Sequence, residues 1–199
     1  MANGAPLKRL QRLRRHNRRG PAARHDRPTV SVDGVTWPVS GAQLALVRDG
    51  RVLIQLRPWP PGWELPGGHC GEGEDPVNAA AREAEEETGF TVRVTALAGV
   101  YTWNGLRRTS DAVYVGEITG GAWRRSVEAL RIRFAAPDEL PHTIFPWIPQ
   151  RVADAIAATQ GAAPVHRVQP VAIRHVLFFG GRWVAVVVDM LRRRDRARP

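Results

Sequence analysis

Cysteine is almost absent from this sequence: Cys70 is the single cysteine among 199 residues. A disulfide within one chain is therefore excluded, and so is a zinc or redox site built on a pair of cysteines. A chain that does not use disulfides suits a reducing compartment, so we expect a cytoplasmic protein.

Long hydrophobic runs are also missing. No stretch reaches the roughly 18–20 uninterrupted apolar residues that a membrane-spanning helix needs. The most apolar segment, 176–191, is interrupted by Gly180, Gly181, Arg182 and Asp189. The sequence therefore predicts no transmembrane segment, and the chain fits one globular domain of about 130–150 residues with tails.

Lysine occurs once, at Lys8, so almost all of the positive charge is carried by arginine. The net charge is +10, but residues 1–27 alone carry +8 and residues 182–199 carry +4, so the middle of the chain is slightly acidic. Any attraction to nucleic acid or to a membrane surface thus belongs to the ends. These ends lack the interleaved aromatic residues of a single-strand binding surface, and we do not expect nucleic acid as the main partner.

The same charge pattern suggests a division of the chain into three parts. We expect a basic, disordered tail over 1–28, a folded domain over 29–160 and a C-terminal extension over 161–199. The first part, rich in arginine and poor in acidic residues, also resembles an organellar transit peptide, and that alternative stays open.

Apolar periodicity predicts a mixture of strands and helices. Two strands, 39–47 and 52–56, flank the hairpin turn pair Asp49-Gly50. A helix is expected over 76–88, because Asp75 can cap its start and Gly89 suits the residue after its last turn. Further segments complete an α/β pattern: strands over 90–100, 112–118 and 130–134, a helix over 149–159, and an apolar hairpin over 171–191.

The predicted helix 76–88 contains four glutamates within five residues, at positions 83, 85, 86 and 87. Helical spacing predicts one stripe that packs on the sheet and an opposite stripe that carries carboxylates. The packing stripe is Val77, Ala81, Ala84 and Thr88, and the acidic stripe is Glu83, Glu86 and Glu87. Such a run is either a solvated acidic face or a site for a hard divalent cation, Mg²⁺ or Mn²⁺, which prefers oxygen ligands.

The surrounding residues favour the cation site. From Gly68 the chain has five residues, then Glu74, then seven residues, then the run REAEEETGF over 82–90. This spacing resembles the Nudix box at every defined position over residues 68–90. The segments WELPGG at 63–68 and PDELP at 137–141 resemble the sequences that accompany the box, so the resemblance covers about residues 36–158.

The resemblance implies a Nudix α/β/α sandwich with a mixed sheet, to which we add the C-terminal apolar hairpin. It also implies a metal-dependent hydrolase of a phosphoanhydride bond in a nucleoside diphosphate linked to another moiety. Carried over by position, Glu83, Glu86, Glu87 and the carbonyl of Gly67 would hold Mg²⁺ or Mn²⁺. Arg82 would then orient the glutamates by ion pairing.

Catalytic and substrate-binding residues follow less directly from the same resemblance. Glu83 is our first candidate for the general base and Glu128 the second, although Arg131 stands where many relatives have a further acid. We place four residues with the small-molecule nucleotide or diphosphate substrate. These are Arg57 for phosphate, Gly68 in the loop beside the helix, and Trp63 and Tyr101 as rings that stack on a base.

The function of the domain and the partner of the apolar segment 171–191 each leave alternatives open. The domain could be a nucleotide-sensing or RNA-binding Nudix module with weak or no catalysis. The apolar runs in 171–191 could pack on the domain, join two chains in a homodimer, or rest on a membrane surface.

Overall fold

The computed structural model describes residues 27–105 and 109–171. The expected basic tail 1–28 lies outside these residues except for Arg27 and Pro28, and the expected hairpin 171–191 lies outside them beyond Val171. The homodimer through 171–191 therefore stays a prediction. None of the helices in the described residues is long and apolar enough to cross a membrane.

Ten strands are present in the described residues. They are β1 (Thr29–Val32), β2 (Val35–Pro38), β3 (Gly41–Arg48), β4 (Arg51–Pro58), β5 (Pro61–Glu64), β6 (Gly67–His69), β7 (Phe90–Gly105), β8 (Ser110–Gly121), β9 (Arg131–Ala135) and β10 (Val165–Val171). β1 and β2 pair with each other as a small antiparallel sheet, and the other eight form the main sheet.

The main sheet is mixed, as predicted. Its strand order is β10-β7-β8-β3-β4-β5, with β6 also paired to β3 and β9 also paired to β4. The β3–β8 and β10–β7 pairs are parallel, and the remaining pairs are antiparallel. β10 lies in the predicted C-terminal extension, so the sheet continues beyond the expected domain end at residue 160.

Two α-helices cover the sheet, α1 (Pro76–Thr88) and α2 (Ile148–Thr159). The bounds of α1 match the prediction because both caps are local. The Asp75 side chain accepts a hydrogen bond from the Val77 N–H at 3.0 Å, and Gly89 takes the left-handed conformation with φ 79°. A side chain on Gly89 would also collide with the Ala122 carbonyl oxygen, 2.8 Å from an added Cβ.

Alternating residues of the strands feed two separate cores. Leu44 and Leu46 of β3 pack with Ala80 and Ala84 of α1 on one face of the sheet. On the other face, the core contains Ala45, Val113, Val115, Ile148 and Val152, so α2 packs there. The sheet therefore lies between the two helices, which confirms the predicted α/β/α sandwich.

The hairpin predicted around Asp49-Gly50 is confirmed. β3 and β4 pair antiparallel with Val47 opposite Val52. Asp49 (φ 52°) and Gly50 (φ 69°) both adopt positive φ, as a two-residue turn of this twist requires. This hairpin matters for the site because β4 carries Gln55, which contacts Glu87 of α1, and leads directly into the segment with β5 and β6.

Candidate active site

The acidic residues of α1 do not lie where simple helical spacing placed them. Glu83 and Glu87 are 8% and 6% exposed and share the buried face with Ala80 and Ala84. These positions follow the i, i+3, i+4, i+7 spacing of one helix face. The prediction that the glutamates oppose the packing stripe is therefore wrong for Glu83 and Glu87, which point toward the sheet.

Three carboxylates converge beside α1. Glu83, Glu87 and Glu128 each offer an oxygen, and these oxygens lie within 4.8 Å of one another. Glu128 reaches this place from the loop between β8 and β9, whereas Glu86 is exposed, with its carboxylate 3.7 Å from the Arg82 guanidinium. The structure thus brings together two of the three predicted helix ligands and the second candidate for the general base.

The loop that carries Glu128 is held by hydrogen bonds from its backbone N–H groups. The Ser126 hydroxyl oxygen accepts hydrogen bonds from the N–H groups of Glu128 (3.2 Å) and Ala129 (2.8 Å). The Leu130 N–H donates to the Leu56 carbonyl at 2.8 Å. These contacts join the loop to β4 and hold Glu128 next to the helix.

Arg82 orients the acidic cluster through Glu74. Its Nε and Nη2 donate to the two oxygens of Glu74 at 2.7 and 3.0 Å, and its Nη1 donates to Glu83 at 2.9 Å. The hydrogen bonds to Glu74 raise the pKa of Arg82 above its usual value. Sequence reasoning assigned no role to Glu74, although the box placed it eight residues before Arg82.

Two glycines allow the β5–β6 loop to approach the helix. A Cβ on Gly68 would lie 2.6 Å from the carboxyl carbon of Glu83, and a Cβ on Gly67 would lie 2.4 Å from the Ala42 carbonyl oxygen. The Gly67 N–H donates to Glu87 at 2.8 Å. Only glycine, which has no Cβ, fits at these two positions. The role of the Gly67 carbonyl as a metal ligand and the role of Gly68 in substrate binding stay predictions.

Burial changes the acidity of the helix carboxylates. Desolvation raises the pKa of Glu87 to about 8, although the Gly67 N–H favours the charged form. Desolvation also raises the pKa of Glu83, which the nearby Arg82 opposes. Two buried carboxylates side by side therefore retain protons more readily than isolated ones, and a cation would relieve that cost.

Arg57 and Glu64 form a pair beside this cluster. The Arg57 Nη1 donates to Glu64 at 2.9 Å, and its Nε donates to the Trp59 carbonyl at 3.2 Å. Glu64 is buried, and desolvation raises its pKa to about 7 in spite of Arg57. Arg57 keeps part of its side chain exposed at the end of β4, and its contact with phosphate stays a prediction.

The two predicted stacking residues lie in different environments. Trp63 is half-buried against the core on the α2 side, with the Arg133 guanidinium 5.7 Å from its ring centre. Tyr101 is fully buried, and its hydroxyl donates to Asp154 of α2 at 2.8 Å. Tyr101 therefore has no face for a substrate, and its assignment as a binding residue is corrected to a core residue.

A buried polar residue of β4 was missed by sequence reasoning. Gln55 is fully buried, and its Nε2 donates to Glu87 at 2.6 Å. The only signal in the sequence is a single amide within the apolar run 52–56.

Comparison with known proteins identifies the family. The NUDIX domain family model matches residues 39–155. A MutT-like protein of Streptomyces ambofaciens is 36% identical over 126 residues, which cover 63% of this chain and 79% of that protein. A CMP-5′-(N-acetyl-N-hydroxy-3-aminopropyl)phosphonate hydrolase of Streptomyces rubellomurinus is 41% identical over 146 residues, covering 61% of this chain and 69% of the other.

Solved structures show the same fold. A NUDIX hydrolase from Nitrosomonas europaea superimposes with a TM-score of 0.58 at 20% identity, covering 68% of this chain and 81% of that one. A UDP-X diphosphatase gives a TM-score of 0.58 at 19% identity, covering 80% of this chain and 74% of that one. With the family match over more than half of its length and the box residues gathered around one acidic cluster, the chain belongs to the Nudix family.

Proposed function

We propose that this protein is a divalent-metal-dependent pyrophosphohydrolase that cleaves a phosphoanhydride bond in a nucleoside diphosphate linked to another moiety. The observation that carries the proposal is the cluster of Glu83, Glu87 and Glu128, whose carboxylate oxygens lie within 4.8 Å of one another. Three acidic groups brought together without a cation would repel an anionic nucleotide, so the cluster favours a metal-dependent enzyme over a module that only senses nucleotides.

The residues of the cluster fit a hard divalent cation. All three offer carboxylate oxygen, the donor type that Mg²⁺ and Mn²⁺ prefer, and no histidine or cysteine takes part in this cluster. The raised pKa values of Glu83 and Glu87 express the same need for positive charge. Glu83, Glu87 and Glu128 would hold the metal, with Glu86 and the Gly67 carbonyl as further ligands.

A bound divalent metal supplies charge neutralisation and polarisation at an anionic phosphoryl group. The protein's own residues supply position. Glu74 and Arg82 fix Glu83, and the Gly67 N–H fixes Glu87. Arg57, at the end of β4, would neutralise a phosphate oxygen by exchanging part of its contact with Glu64.

Glu83 and Glu128 are the two candidates for the general base that deprotonates the attacking water. Glu83 is tied to Arg82, whereas Glu128 comes from an exposed loop and shares the cluster. The two candidates can be tested separately, because Glu128→Gln leaves the hydrogen bonds from Arg82 to Glu74 and Glu83 intact. We keep Glu83 as the first candidate and Glu128 as the second.

The proposed substrate class rests on two of the relatives. One relative is named as a hydrolase of a CMP-linked phosphonate, and another, from Methanocaldococcus jannaschii, as an ADP-ribose pyrophosphatase. Both names describe a nucleoside monophosphate joined through phosphorus to a second group. We therefore propose that the products are a nucleoside monophosphate and the phosphorylated or phosphonylated second group.

The test is release of nucleoside monophosphate from a panel of nucleoside triphosphates, ADP-ribose, nucleotide sugars and CMP-linked phosphonates. Cleavage of at least one compound should require Mg²⁺ or Mn²⁺ and stop with EDTA. Glu87→Gln should lower turnover on the order of 100-fold or more, as loss of a ligand charge implies.

Glu85→Gln is the matched control for this test. Glu85 lies on the same helix and accepts a hydrogen bond from the Val92 N–H at 3.1 Å, which the Gln carbonyl oxygen can still accept. Its turnover should equal that of the wild type. Metal-independent cleavage, or equal losses in the two variants, would overturn the proposed function.

A further inference from the structure

Gln55 occupies a position that packing alone does not explain. It is fully buried in the middle of β4, with the apolar Ile54 and Leu56 on either side. A buried amide loses its hydrogen bonds to water, so the position favours an apolar side chain unless the amide has a specific partner. The partner here is Glu87 of α1.

The contact between these residues selects one oxygen of the carboxylate. Gln55 Nε2 donates to Glu87 Oε2 at 2.6 Å, and the Gly67 N–H donates to the same oxygen at 2.8 Å. Two donors from different strands on Oε2 fix the plane of the carboxylate. The other oxygen, Oε1, is then the one left to act as a ligand.

The chemical type of the donor matters as much as its position. Gln55 is neutral, so it orients Glu87 without cancelling its negative charge. Glu83, in contrast, already shares its charge with the Arg82 guanidinium at 2.9 Å. Once deprotonated, Glu87 therefore offers more of its charge to a cation than a carboxylate held by an arginine would.

The other end of the amide supports a role in the site. Within residues 27–105 and 109–171, no group donates a hydrogen bond to Gln55 Oε1, although that atom is buried. When Glu87 is deprotonated, as a metal ligand must be, turning the amide over would set an oxygen 2.6 Å from a carboxylate oxygen, so the charged form of Glu87 selects this orientation. An apolar residue at position 55 would avoid the cost of the unpaired oxygen. The presence of a glutamine there indicates that the amide serves to hold Glu87 rather than to stabilise the fold.

We propose that Gln55 is a positioning residue that holds Glu87 Oε2 and thereby presents Oε1 to the metal. The inference rests on the proposed function, because it assumes that Glu87 is a metal ligand. It assigns to β4, a strand outside the Nudix box, a direct influence on metal affinity.

Metal binding and stability separate this role from a purely structural one. We would replace Gln55 by Met and, independently, by Leu in the full-length protein, strip the metal, and measure Mg²⁺ affinity by calorimetry and Mn²⁺ affinity by electron paramagnetic resonance. Both variants should bind the metal about 10–100-fold more weakly, the usual effect of losing a residue that orients a ligand. Their metal-free melting temperatures should equal or exceed that of the wild type.

Leu53→Ala is the matched control. Leu53 lies two residues away on β4 and belongs to the core shared with α1. Its truncation should lower the melting temperature while leaving metal affinity unchanged.

The other possible results of these measurements would each overturn the role proposed for Gln55. Wild-type affinity in both Gln55 variants would overturn the inference while leaving the proposed function in place. Failure of both variants to fold, or an equal loss of affinity in Leu53→Ala, would show a structural role and overturn it as well. A wild-type protein that binds neither metal would remove the proposed function, and this inference with it.

Discussion

The guanidinium of Arg82 holds the carboxylate of Glu74 with two hydrogen bonds, Nε to Oε1 at 2.7 Å and Nη2 to Oε2 at 3.0 Å. The same guanidinium reaches Glu83 with Nη1, so Glu74 fixes the arginine and the arginine fixes a candidate metal ligand. This three-residue relay joins the loop before α1 to the helix face that carries the cluster.

Replacing Arg82 by lysine should damage the relay while keeping the charge, because an ammonium group cannot reproduce the planar fork. We expect turnover to fall about 10–100-fold with a smaller change in KM, as for other groups that orient ligands. Steady-state kinetics on any cleaved substrate measures this. Arg93→Lys is the control, since Arg93 pairs with Glu117 on the exposed surface, and equal effects of the two substitutions would contradict the relay.

Glu86 and Glu87 should differ in importance because they differ in burial. Glu87 is nearly buried and lies in the cluster, whereas the Glu86 side chain is 64% exposed. Glu87→Gln should therefore weaken Mn²⁺ binding more than Glu86→Gln, by a further factor of about 10 or more. Titration of both variants with Mn²⁺ measures the difference, and a stronger effect of Glu86→Gln would place the metal on the outer face of the helix.

The metal-free protein should lose stability as the pH rises. The pKa of Glu87 is raised to about 8 in the folded state from an ordinary value of 4.5. Between these values the folded protein keeps a proton that the unfolded chain has released, so the free energy of unfolding falls through this window and levels off above it. We expect urea unfolding with EDTA to show a lower stability at pH 8.5 than at pH 5.5, on the order of 1–3 kcal/mol.

Two variations of the same unfolding experiment show whether Glu87 causes this pH dependence. Glu87→Gln should flatten part of this pH dependence, leaving the smaller contribution of Glu64, whose pKa is raised to about 7. Saturating Mg²⁺ should restore stability at pH 8.5, because the metal binds the deprotonated form. A metal-free protein that becomes more stable toward pH 8.5 would contradict the buried state of Glu87.

Tyr101 should behave as a core residue rather than a substrate contact. Tyr101→Phe removes the hydroxyl that donates to Asp154, while Asp154 keeps its hydrogen bonds from Arg167 and Gln150. We expect a loss of about 1–2 kcal/mol in the free energy of unfolding and unchanged kcat and KM. A raised KM with unchanged stability would restore the substrate-stacking hypothesis.

The sequence predicted those parts of the molecule whose causes are local. The bounds of α1 followed from Asp75 and Gly89, and the β3–β4 hairpin followed from Asp49-Gly50, because caps and tight turns depend on a few neighbouring residues. The pairing of β1 with β2 was not predicted, although Asp33-Gly34 has the same turn chemistry.

Long-range packing explains the errors. The contact between Gln55 and Glu87 exists only because the fold brings β4 next to the last turn of α1, a proximity that the local pattern of neither segment contains. The face of Tyr101 was equally hidden, since β7 shifts its register between Val94 and Ala96 and again between Leu97 and Gly99. Each shift interrupts the alternation of side chains between the two faces of the sheet, and that alternation is what predicts which face a residue occupies.

On the proposed function, Glu83, Glu87 and Glu128 together form one metal site of this Nudix hydrolase. The most direct test of this site is an anomalous difference map from crystals of the full chain soaked in Mn²⁺. We expect a Mn²⁺ peak within about 2.0–2.6 Å of an oxygen from each of the three carboxylates, the range of hard divalent cations on oxygen ligands. A Mn²⁺ peak that contacts none of them, or bound Mn²⁺ held only by exposed side chains elsewhere, would contradict the proposed site.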